Sequence, residues 1–441
     1  MNKLAAVSHE RADPSAGASV LGVATSRAGS LLAGLGILVL GNSLYATLMS
    51  LRAHQEGFNA VEVGALSSLF FAGYIFASYM TPKLIMRLGM TRSFAALASL
   101  ISAIVLMAAL HVSPLYWFVL RFVHGALFAA VIIIAESWLN AIATTQTRGR
   151  ILALYGVIFL FSFALGQLLI VIAPVSEFRL FNIVSILFSI ALLPVLLGRQ
   201  EAPLDLTANR MKASQIFVTA PAAIAGCAIF AAVTNGLAAV APVQLSLLGF
   251  SENYVAIWLF AFISGGLVAQ WPIGVLSDHV DRRLVGFALF VSAAIAVGGV
   301  HMLPSQNGTA RMILGGLLGA ATIPAYSVFT AQIADRIAAP AMLSAVSTMI
   351  VLYALGAMSG PILLGLGVNR WGPAGLSMSL ITLLGIGAVF MLIRLAMRRT
   401  SKADVKEKFY FNQPTSHIGL GLDPRTSPSA VLPATPRQQE K

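Results

Sequence analysis

The chain has 441 residues, of which 58% are hydrophobic and only 10% charged, and its formal net charge is +12. A soluble domain carries about 25% charged residues, so this composition excludes an ordinary soluble protein and indicates a membrane protein. The single cysteine, Cys227, excludes a disulfide framework and a cysteine-based metal site. The positive charge requires no nucleic acid partner, because most lysines and arginines lie between apolar runs or in the tails.

The chain divides into polar ends, a polar centre and twelve apolar runs. Residues 1–27 lack the apolar core and cleavage site of a signal peptide, so we interpret them as a disordered cytoplasmic tail. Each apolar run approaches the ~20 residues that cross a bilayer. The runs cover 29–51, 61–81, 93–111, 115–138, 150–173, 179–198, 215–241, 254–277, 284–303, 310–333, 341–367 and 373–397. The stretch 199–213 separates a half at 28–198 from a half at 214–397, and the tail 398–441 is expected to be disordered.

The basic residues between the runs are distributed unevenly. With the N-terminus inside, eleven lie in inner loops and three in outer loops. The inner set is Lys83, Arg87, Arg92, Arg148, Arg150, Arg199, Arg210, Lys212, Arg282, Arg283 and Arg336, and the outer set is Arg52, Arg179 and Arg370. Lysine and arginine concentrate in cytoplasmic loops, so both termini are predicted to be cytoplasmic.

An internal repeat relates the two halves. The stretch Arg121–Asn140 (RFVHGALFAAVIIIAESWLN) reappears 190 residues later from Arg311 (RMILGGLLGAATIPAYSVFT). Similar offsets place Asn42 on Asn235, Gly57 on Gly249 and Gly73 on Gly265. A duplication of six runs predicts two homologous halves in parallel topology. The predicted fold class is therefore an all-α polytopic membrane protein with 12 transmembrane helices in two six-helix repeats.

The loop after the eighth run carries a family motif. Residues 274–283 read GVLSDHVDRR, which resembles the G-x-L-x-D-R-x-x-R-R signature of the major facilitator superfamily. Gly274 permits close helix packing, Asp278 can face the positive end of a helix, and Arg282 and Arg283 can meet carboxylates near the inner leaflet. The resemblance implies the major facilitator fold over about residues 28–397 and a conformational latch at this loop.

The matching loop of the first half is different. It keeps Arg87 and Gly89 but has Met86 where the family pattern has an aspartate. We therefore expect the cytoplasmic latch to be asymmetric, with the acidic contribution coming from the second half alone.

Arg121 follows more than one apolar turn of the fourth run (115–120), which places it well below the outer surface, and with Gly125 it resembles the R-x-x-x-G signature of the same superfamily. A cation near mid-bilayer costs ~2.5–3.5 kcal/mol on insertion scales, so it should face a cavity or a partner. A cavity-facing functional residue and a hydrogen-bonding anchor are both open interpretations. Arg311 follows polar residues and can instead reach the interface. His124 lies one turn from Arg121, on the same face of the helix. It is a candidate ligand or proton carrier, and a packed core histidine is the alternative.

Glu136 cannot pair with Arg121. Fifteen residues at ~1.5 Å each place them about 22 Å apart along a helix. An inner-gate salt bridge to Arg87, Arg92, Arg148 or Arg150 is the plainer interpretation. The string ESWLN at 136–140, followed by Arg148-Gly149-Arg150, resembles the YcaD-like bacterial branch of the superfamily.

The eleventh run contains Gly356, Gly360 and Pro361. This small-xxx-small pair followed by proline permits tight packing and a kink. It resembles a G-x-x-x-G-P signature that antiporters of the family carry on helix five, so its position on run eleven lends antiport little support.

These features predict a secondary transporter that moves a small solute across the bacterial inner membrane by alternating access, with protons as a candidate coupling ion. Broad-specificity efflux by antiport, and a non-transporting sensor or scaffold, are the alternatives. No enzyme or cofactor motif occurs, and a monomer in the lipid bilayer is expected. The candidate cavity residues are Asn42, Tyr45, Arg121, His124, Gln167, Asn235, Gln270 and Tyr326. The acids in the runs, Glu62 and Glu136, lie near the membrane surfaces, which favours a neutral or anionic solute.

Overall fold

The structure is a computed structural model that describes residues 14–144, 147–197, 220–304, 307–336 and 339–397. The predicted central loop 199–213 and C-terminal tail 398–441 lie outside the described residues, as does the N-terminal tail up to residue 13. Over the described ranges the chain is helical, in agreement with the predicted fold class.

Twelve helical spans in the described ranges are long and apolar enough to cross a membrane, and we label them α1–α12. Those of the N-terminal half are α1 Ala28–Gln55, α2 Ala60–Leu88, α3 Met90–Leu110, α4 Pro114–Ile142, α5 Arg148–Ile172 and α6 Arg179–Leu196. Those of the C-terminal half are α7 Pro221–Leu247, α8 Glu252–His279, α9 Arg282–Met302, α10 Gly308–Ala334, α11 Thr348–Trp371 and α12 Pro373–Met397.

Polar caps and glycine turns fix where the spans begin. The side chain of Asn59 accepts hydrogen bonds from the amides of Val61 and Glu62 at 3.0 Å, while the Glu62 carboxylate accepts from the Asn59 amide at 2.8 Å. This capping box satisfies amides that have no partner within the helix. Gly57 and Gly249 precede α2 and α8 with φ of 86° and 83°. Because L side chains rarely adopt such angles, the repeat conserves a turn that needs glycine in both halves.

Equivalent glycines also pack the helices of each half. A Cβ added at Gly73 of α2 would overlap the backbone of α4 at Phe122, and one at Gly265 of α8 would overlap the backbone of α10 at Gly316. Backbones approach this closely only where side chains are absent. The same α2–α4 and α8–α10 contacts therefore occur in both halves. The halves meet where α2 packs on α11 and where α5 packs on α8.

Several predicted boundaries were wrong. The runs expected to end at residues 81 and 241 continue through Pro82 and Pro242 to Leu88 and Leu247. Neighbouring helices can satisfy the carbonyls that a proline leaves unpaired inside a membrane protein. At the other extreme, α10 is interrupted between Thr322 and Ala325, next to Pro324.

The N-terminal tail was also predicted too long. The helix that contains α1 begins at Pro14, so residues 14–27 are helical where disorder was expected. The segment is rich in alanine and other small residues, and proline is well placed at the first position of a helix.

Candidate substrate cavity

A cavity of about 220 Å³ lies between the two halves. Its walls come from α1, α2, α4 and α5 of one half and from α7, α8, α10 and α11 of the other. Aromatic side chains form much of the lining, namely Phe70, Phe71, Tyr74, Phe128, Phe159, Phe163, Phe230, Phe262, Tyr326 and Tyr353. The cavity is therefore largely apolar, and its few polar groups are the ones that can orient a bound molecule.

Arg121 is the charged residue among the described residues that line this cavity. It is 4% exposed. Its Nε donates to the carbonyl of Leu66 at 3.3 Å, and its Nη1 donates to Nδ1 of His124 at 3.1 Å. The guanidinium carbon lies 5.4 Å from the ring centre of Tyr45 and 5.0 Å from that of Phe70. All of these contacts are neutral, so they hold the cation in place without cancelling its charge.

Two predicted cavity residues lie behind the wall rather than on it. His124 is completely buried, with its ring against those of Tyr45 and Phe70. Since its Nδ1 accepts from Arg121, the neutral tautomer carries its proton on Nε2, which has no hydrogen-bond partner among the described residues. Tyr45 is also completely buried. Both side chains contact Arg121 from behind the cavity wall. The sequence did not predict this placement, because the position of a residue along a helix does not determine the direction in which its side chain points.

On the same wall, Gln167 organises a small polar network. Its Nε2 donates to the hydroxyl of Ser43 at 2.6 Å, and its Oε1 accepts from Thr47 at 2.5 Å. Gln167, Thr47 and Asn42 line the cavity, and the Oδ1 of Asn42 is buried without a hydrogen-bond partner among the described residues. This side of the N-terminal wall can therefore offer amide and hydroxyl groups to a solute.

The opposite wall is neutral. The side-chain amide of Asn235 donates to the hydroxyl of Tyr353 at 3.0 Å, and both residues line the cavity together with Tyr326. Gln270, a predicted cavity residue, instead donates to Ser327 at 2.7 Å between α8 and α10, away from the lining. Arg311, the repeat partner of Arg121, donates to the carbonyl of Leu303 at 2.7 Å. Only one half therefore places an arginine on the described part of the wall.

Glu136 is completely buried near the C-terminal end of α4, and its carboxylate accepts a hydrogen bond from Tyr155 at 2.6 Å. The predicted salt bridge to an inner arginine stays a prediction. Among its candidate partners, Arg87 is exposed to the surroundings.

Charged side chains cluster at the loop between α8 and α9. The guanidinium of Arg282 lies 3.1 Å from carboxylate oxygens of both Asp278 and Asp335. Arg283 lies 2.7 Å from Asp281 and donates to the Arg394 carbonyl at the end of α12. Gly274 is buried one turn earlier, where its carbonyl accepts from Ser277. These ion pairs join the ends of α8, α9 and α10.

The corresponding loop of the N-terminal half has a different character. Gly89 makes the turn between α2 and α3 with φ of 77°, and Met86 is 69% exposed. Among the described residues, Arg87 makes no ion pair comparable to those of Arg282. Among the described residues, the C-terminal half thus has a cluster of ion pairs at this loop, whereas the N-terminal half has a turn at Gly89.

The halves are joined on the face that carries the α1–α2 and α7–α8 loops. Glu252 of α8 accepts from the side chain of Gln55 at 2.5 Å and from the amide of Val175 at 3.0 Å. Asn369 at the end of α11 accepts from the amide of Ala60 at 3.0 Å and donates to Asn59 at 3.1 Å. We call these four hydrogen bonds the outer seam, because the distribution of lysine and arginine predicts that this face lies on the outer side of the membrane.

Glycines bring the backbones together just below the outer seam. A Cβ at Gly64 of α2 would overlap the carbonyl of Pro361, and one at Gly365 of α11 would overlap that of Ala60. Gly356 and Gly360 pack instead on Ala228 and Ala232 of α7, within the C-terminal half. The G-x-x-x-G-P motif of α11 therefore packs with its glycines on its own half and with its proline carbonyl on the other.

Of the eight predicted cavity residues, five line the cavity: Asn42, Arg121, Gln167, Asn235 and Tyr326. The prediction missed Tyr74 and Tyr353 on the facing helices α2 and α11. Both sit in apolar runs of the sequence, and a phenol within such a run was the available signal, since buried tyrosines usually need a hydrogen-bond partner.

Two six-helix halves around a largely apolar cavity, with one buried arginine on its wall, define a class of polytopic membrane transport proteins. The sequence profile of the Major Facilitator Superfamily matches residues 31–337. The match spans well over half of the chain, and the chain belongs to this superfamily. The family resemblance drawn from the loop and helix motifs is thus confirmed.

Bacterial relatives agree with this assignment. An uncharacterised MFS-type transporter of Enterobacter sp. (strain 638) is 28% identical over 340 residues, which are 75% of this chain and 86% of that protein. The uncharacterised MFS-type transporter YcaD of Escherichia fergusonii is 29% identical over 338 residues, with the same coverage. The chain is therefore a transporter of the bacterial inner membrane, with multiple spans and a small-molecule solute.

Two solved structures share the fold. The nucleoside transporter NupG superposes with a TM-score of 0.69 at 14% identity, over 85% of this chain and 100% of that chain. A bacterial homologue of the human lysosomal transporter Spinster superposes with a TM-score of 0.68 at 17% identity, over 85% of this chain and 99% of that chain. Identities this low relate the folds and carry no information on the solute.

Proposed function

We propose that the protein is a secondary active transporter that carries a neutral or anionic small solute by alternating access. The observation that carries the proposal is the cavity between the two halves, with Arg121 buried on its wall. A scaffold has no need of a buried cation and unpaired amide oxygens inside hydrocarbon, where such groups are costly.

The outer seam supports a conformation that is closed on one face. With both termini cytoplasmic, as the distribution of arginine and lysine predicts, this face is periplasmic and the proposed state is closed to the periplasm. Breaking four hydrogen bonds and separating the glycine contacts below them would open the cavity to the other side. Rocking of the two halves around the central site then gives alternating access.

Transport is tested by flux into proteoliposomes that contain the purified full-length protein. A broad panel of labelled amino acids, nucleosides, sugars, organic acids and cationic dyes is added outside, with and without a pH gradient. We expect protein-dependent uptake or counterflow of at least one neutral or anionic compound. Binding without flux of any compound across the panel would favour the sensor or scaffold alternative. Flux of the cationic dyes alone would leave transport standing and contradict the proposed charge preference.

A further inference from the structure

We propose that the solute of this cavity is a monoanion with an apolar aromatic body, whose carboxylate binds Arg121 while its ring packs between the two halves. The inference rests on the transport function proposed above and adds the chemical class of the solute. Three features of the cavity carry it: an uncompensated charge, the number of charges and the composition of the walls.

The first feature is the uncompensated charge. The described partners of the Arg121 guanidinium are a backbone carbonyl, the neutral His124 ring and two aromatic faces. No carboxylate of the described residues lies within ion-pair distance of it, and Glu136 is about four turns further along the same helix. A buried cation without an anion is costly, so the cavity beside Arg121 favours a ligand that supplies one. Arginine also matches the planar geometry of a carboxylate, which it binds through two parallel hydrogen bonds.

The second feature is that one cationic side chain, Arg121, occurs among the described residues of the lining. The internal repeat could have placed a second arginine on the facing wall, but Arg311 lies outside the lining and donates to Leu303. His124 lies behind the wall and is held neutral by accepting a hydrogen bond from Arg121. A monoanion is matched by this site, whereas a dianion would bring a second charge into an apolar cavity without a partner. A cation would meet repulsion from Arg121 and no described acid on the wall.

The third feature is the composition of the walls around Arg121. Phe70 lies beside the guanidinium, and Phe128, Phe159 and Phe163 continue the aromatic surface on the N-terminal half. Phe230 and Phe262 face them from the other half. A small hydrophilic anion would fill the space with little apolar contact, while an aryl or alkyl body would bury apolar surface on both sides. At the far wall, Asn235 and Tyr353 offer neutral hydrogen bonds, which suit a hydroxyl or amide group at the other end of the solute.

The test compares 3-phenylpropionate with relatives that differ in the charge of the polar group or lack the aromatic ring. The probes are 3-phenylpropionate, its amide 3-phenylpropionamide, the cation 3-phenylpropylamine, the dianion phenylsuccinate and the short anion propionate. Binding to the purified full-length protein in nanodiscs is measured by isothermal titration calorimetry and by the shift in Tm. We expect 3-phenylpropionate to bind more tightly than each of the others, by about tenfold over its amide because a charge-assisted hydrogen-bond pair is lost.

Variants of the two arginines locate the effect. Arg121→Gln should remove the preference for carboxylate over amide, and Arg121→Lys should retain part of the preference. The matched control is Arg311→Gln, which changes the repeat-related arginine outside the cavity and should leave the preference intact. The elution profile on size-exclusion chromatography and the Tm without probe, compared with the parent, show whether each variant is folded.

Three results would overturn the proposal: tightest binding of the amine, equal binding of propionate and 3-phenylpropionate, or a carboxylate preference that survives in Arg121→Gln. Absence of binding by every probe at millimolar concentration would also overturn it. None of these results touches transport itself, because flux of a neutral compound in the liposome panel would still establish the transporter.

Discussion

At the scale of single residues, Glu136 is the candidate for coupling transport to protons. It is an acid buried completely within α4, and Tyr155 donates to its carboxylate at 2.6 Å. The other candidate drawn from the sequence, His124, receives a hydrogen bond from the permanently charged Arg121 and lies against aromatic rings. A second positive charge there would be repelled by the first. Glu136 lies on α4, which also carries Arg121 and Phe128 of the cavity wall, and this shared helix links it to the solute site.

Replacement of Glu136 by glutamine tests this role. Glu136→Gln keeps the size of the side chain and an oxygen that can accept from Tyr155, but it cannot release a proton. We expect solute exchange between equal concentrations to continue while accumulation driven by an imposed pH gradient is lost. Both rates are measured in proteoliposomes with the solute identified by the panel. Tyr155→Phe is the control, because it removes the hydrogen bond and keeps the acid. Gradient-driven accumulation at the parent rate in Glu136→Gln would exclude the role.

Single residues also show which features of the site the sequence could predict. The apolar turn before Arg121 predicted its depth, and helix geometry correctly separated it from Glu136 along α4. The sequence could not predict that Arg121 lies on the wall while His124, one turn away, lies behind it. That difference depends on how α4 is rotated against α1 and α2, where the rings of Tyr45 and Phe70 enclose His124. Tertiary packing sets this rotation, and local sequence carries little information about it.

At the scale of elements, ion pairs hold the α8–α9 loop together, and their carboxylates are partly exposed. Burial raises the pKa of the Asp281 carboxyl, but hydrogen bonds and charge from Arg283, together with the charge of Arg336, outweigh that effect and hold the pKa below its usual value. A carboxyl whose pKa is lower in the folded state stabilises the fold above its unfolded pKa. The stabilisation is lost as the pH falls toward the folded value.

The pH dependence of stability follows from this lowered pKa of Asp281. We expect the Tm of the parent to fall on acidification below about pH 4, the usual range of aspartate. Asp281→Asn should have a lower Tm than the parent at neutral pH and a smaller loss on acidification, because the group that titrates is gone. The contribution is small, on the order of 1 kcal/mol or less for a partly exposed ion pair. Identical acid profiles of parent and variant would show that Asp281 does not contribute.

The helices also show where a hydrophobicity pattern fails to predict helix ends. The twelve apolar runs predicted twelve helices, but proline misled the predicted ends at 81 and 241, since α2 and α7 continue through Pro82 and Pro242. The same residue type interrupts α10 near Pro324. Whether a proline ends, bends or merely sits in a membrane helix depends on which neighbour satisfies the freed carbonyl. That information lies in the packing of other helices.

At the scale of the whole molecule, the repeat offset predicted two halves, and the contacts between them define the conformation. The outer seam joins residues that are far apart in the chain, such as Asn59 and Asn369. Such pairs leave no signal in a single sequence, because asparagine near a helix end is equally suited to capping. The family motif of α11 predicted tight packing, but only the structure shows that Pro361 meets Gly64 across the two halves.

Closure of the outer face should therefore depend on Gly64. A Cβ at this position meets the backbone carbonyl of Pro361, which cannot rotate away as a side chain could. Gly64→Ala should hold α2 and α11 apart and shift the protein toward the state that is open on this face. The native Cys227, the single cysteine of the chain, lines the cavity and serves as the reporter. We expect a membrane-impermeant maleimide added to intact cells to label Cys227 several times faster in Gly64→Ala than in the parent.

The matched control is Gly298→Ala in α9, where an added Cβ has no neighbour within 4 Å. It introduces the same methyl group into a helix and should leave the labelling rate at the parent value. Cys227→Ser in the Gly64→Ala background should abolish the signal, which ties the label to the cavity. If Gly64→Ala and Gly298→Ala label at the same rate, the α2–α11 contact does not control closure. Faster labelling confined to Gly64→Ala places the gate at this contact, because the variants differ only in what the methyl group meets.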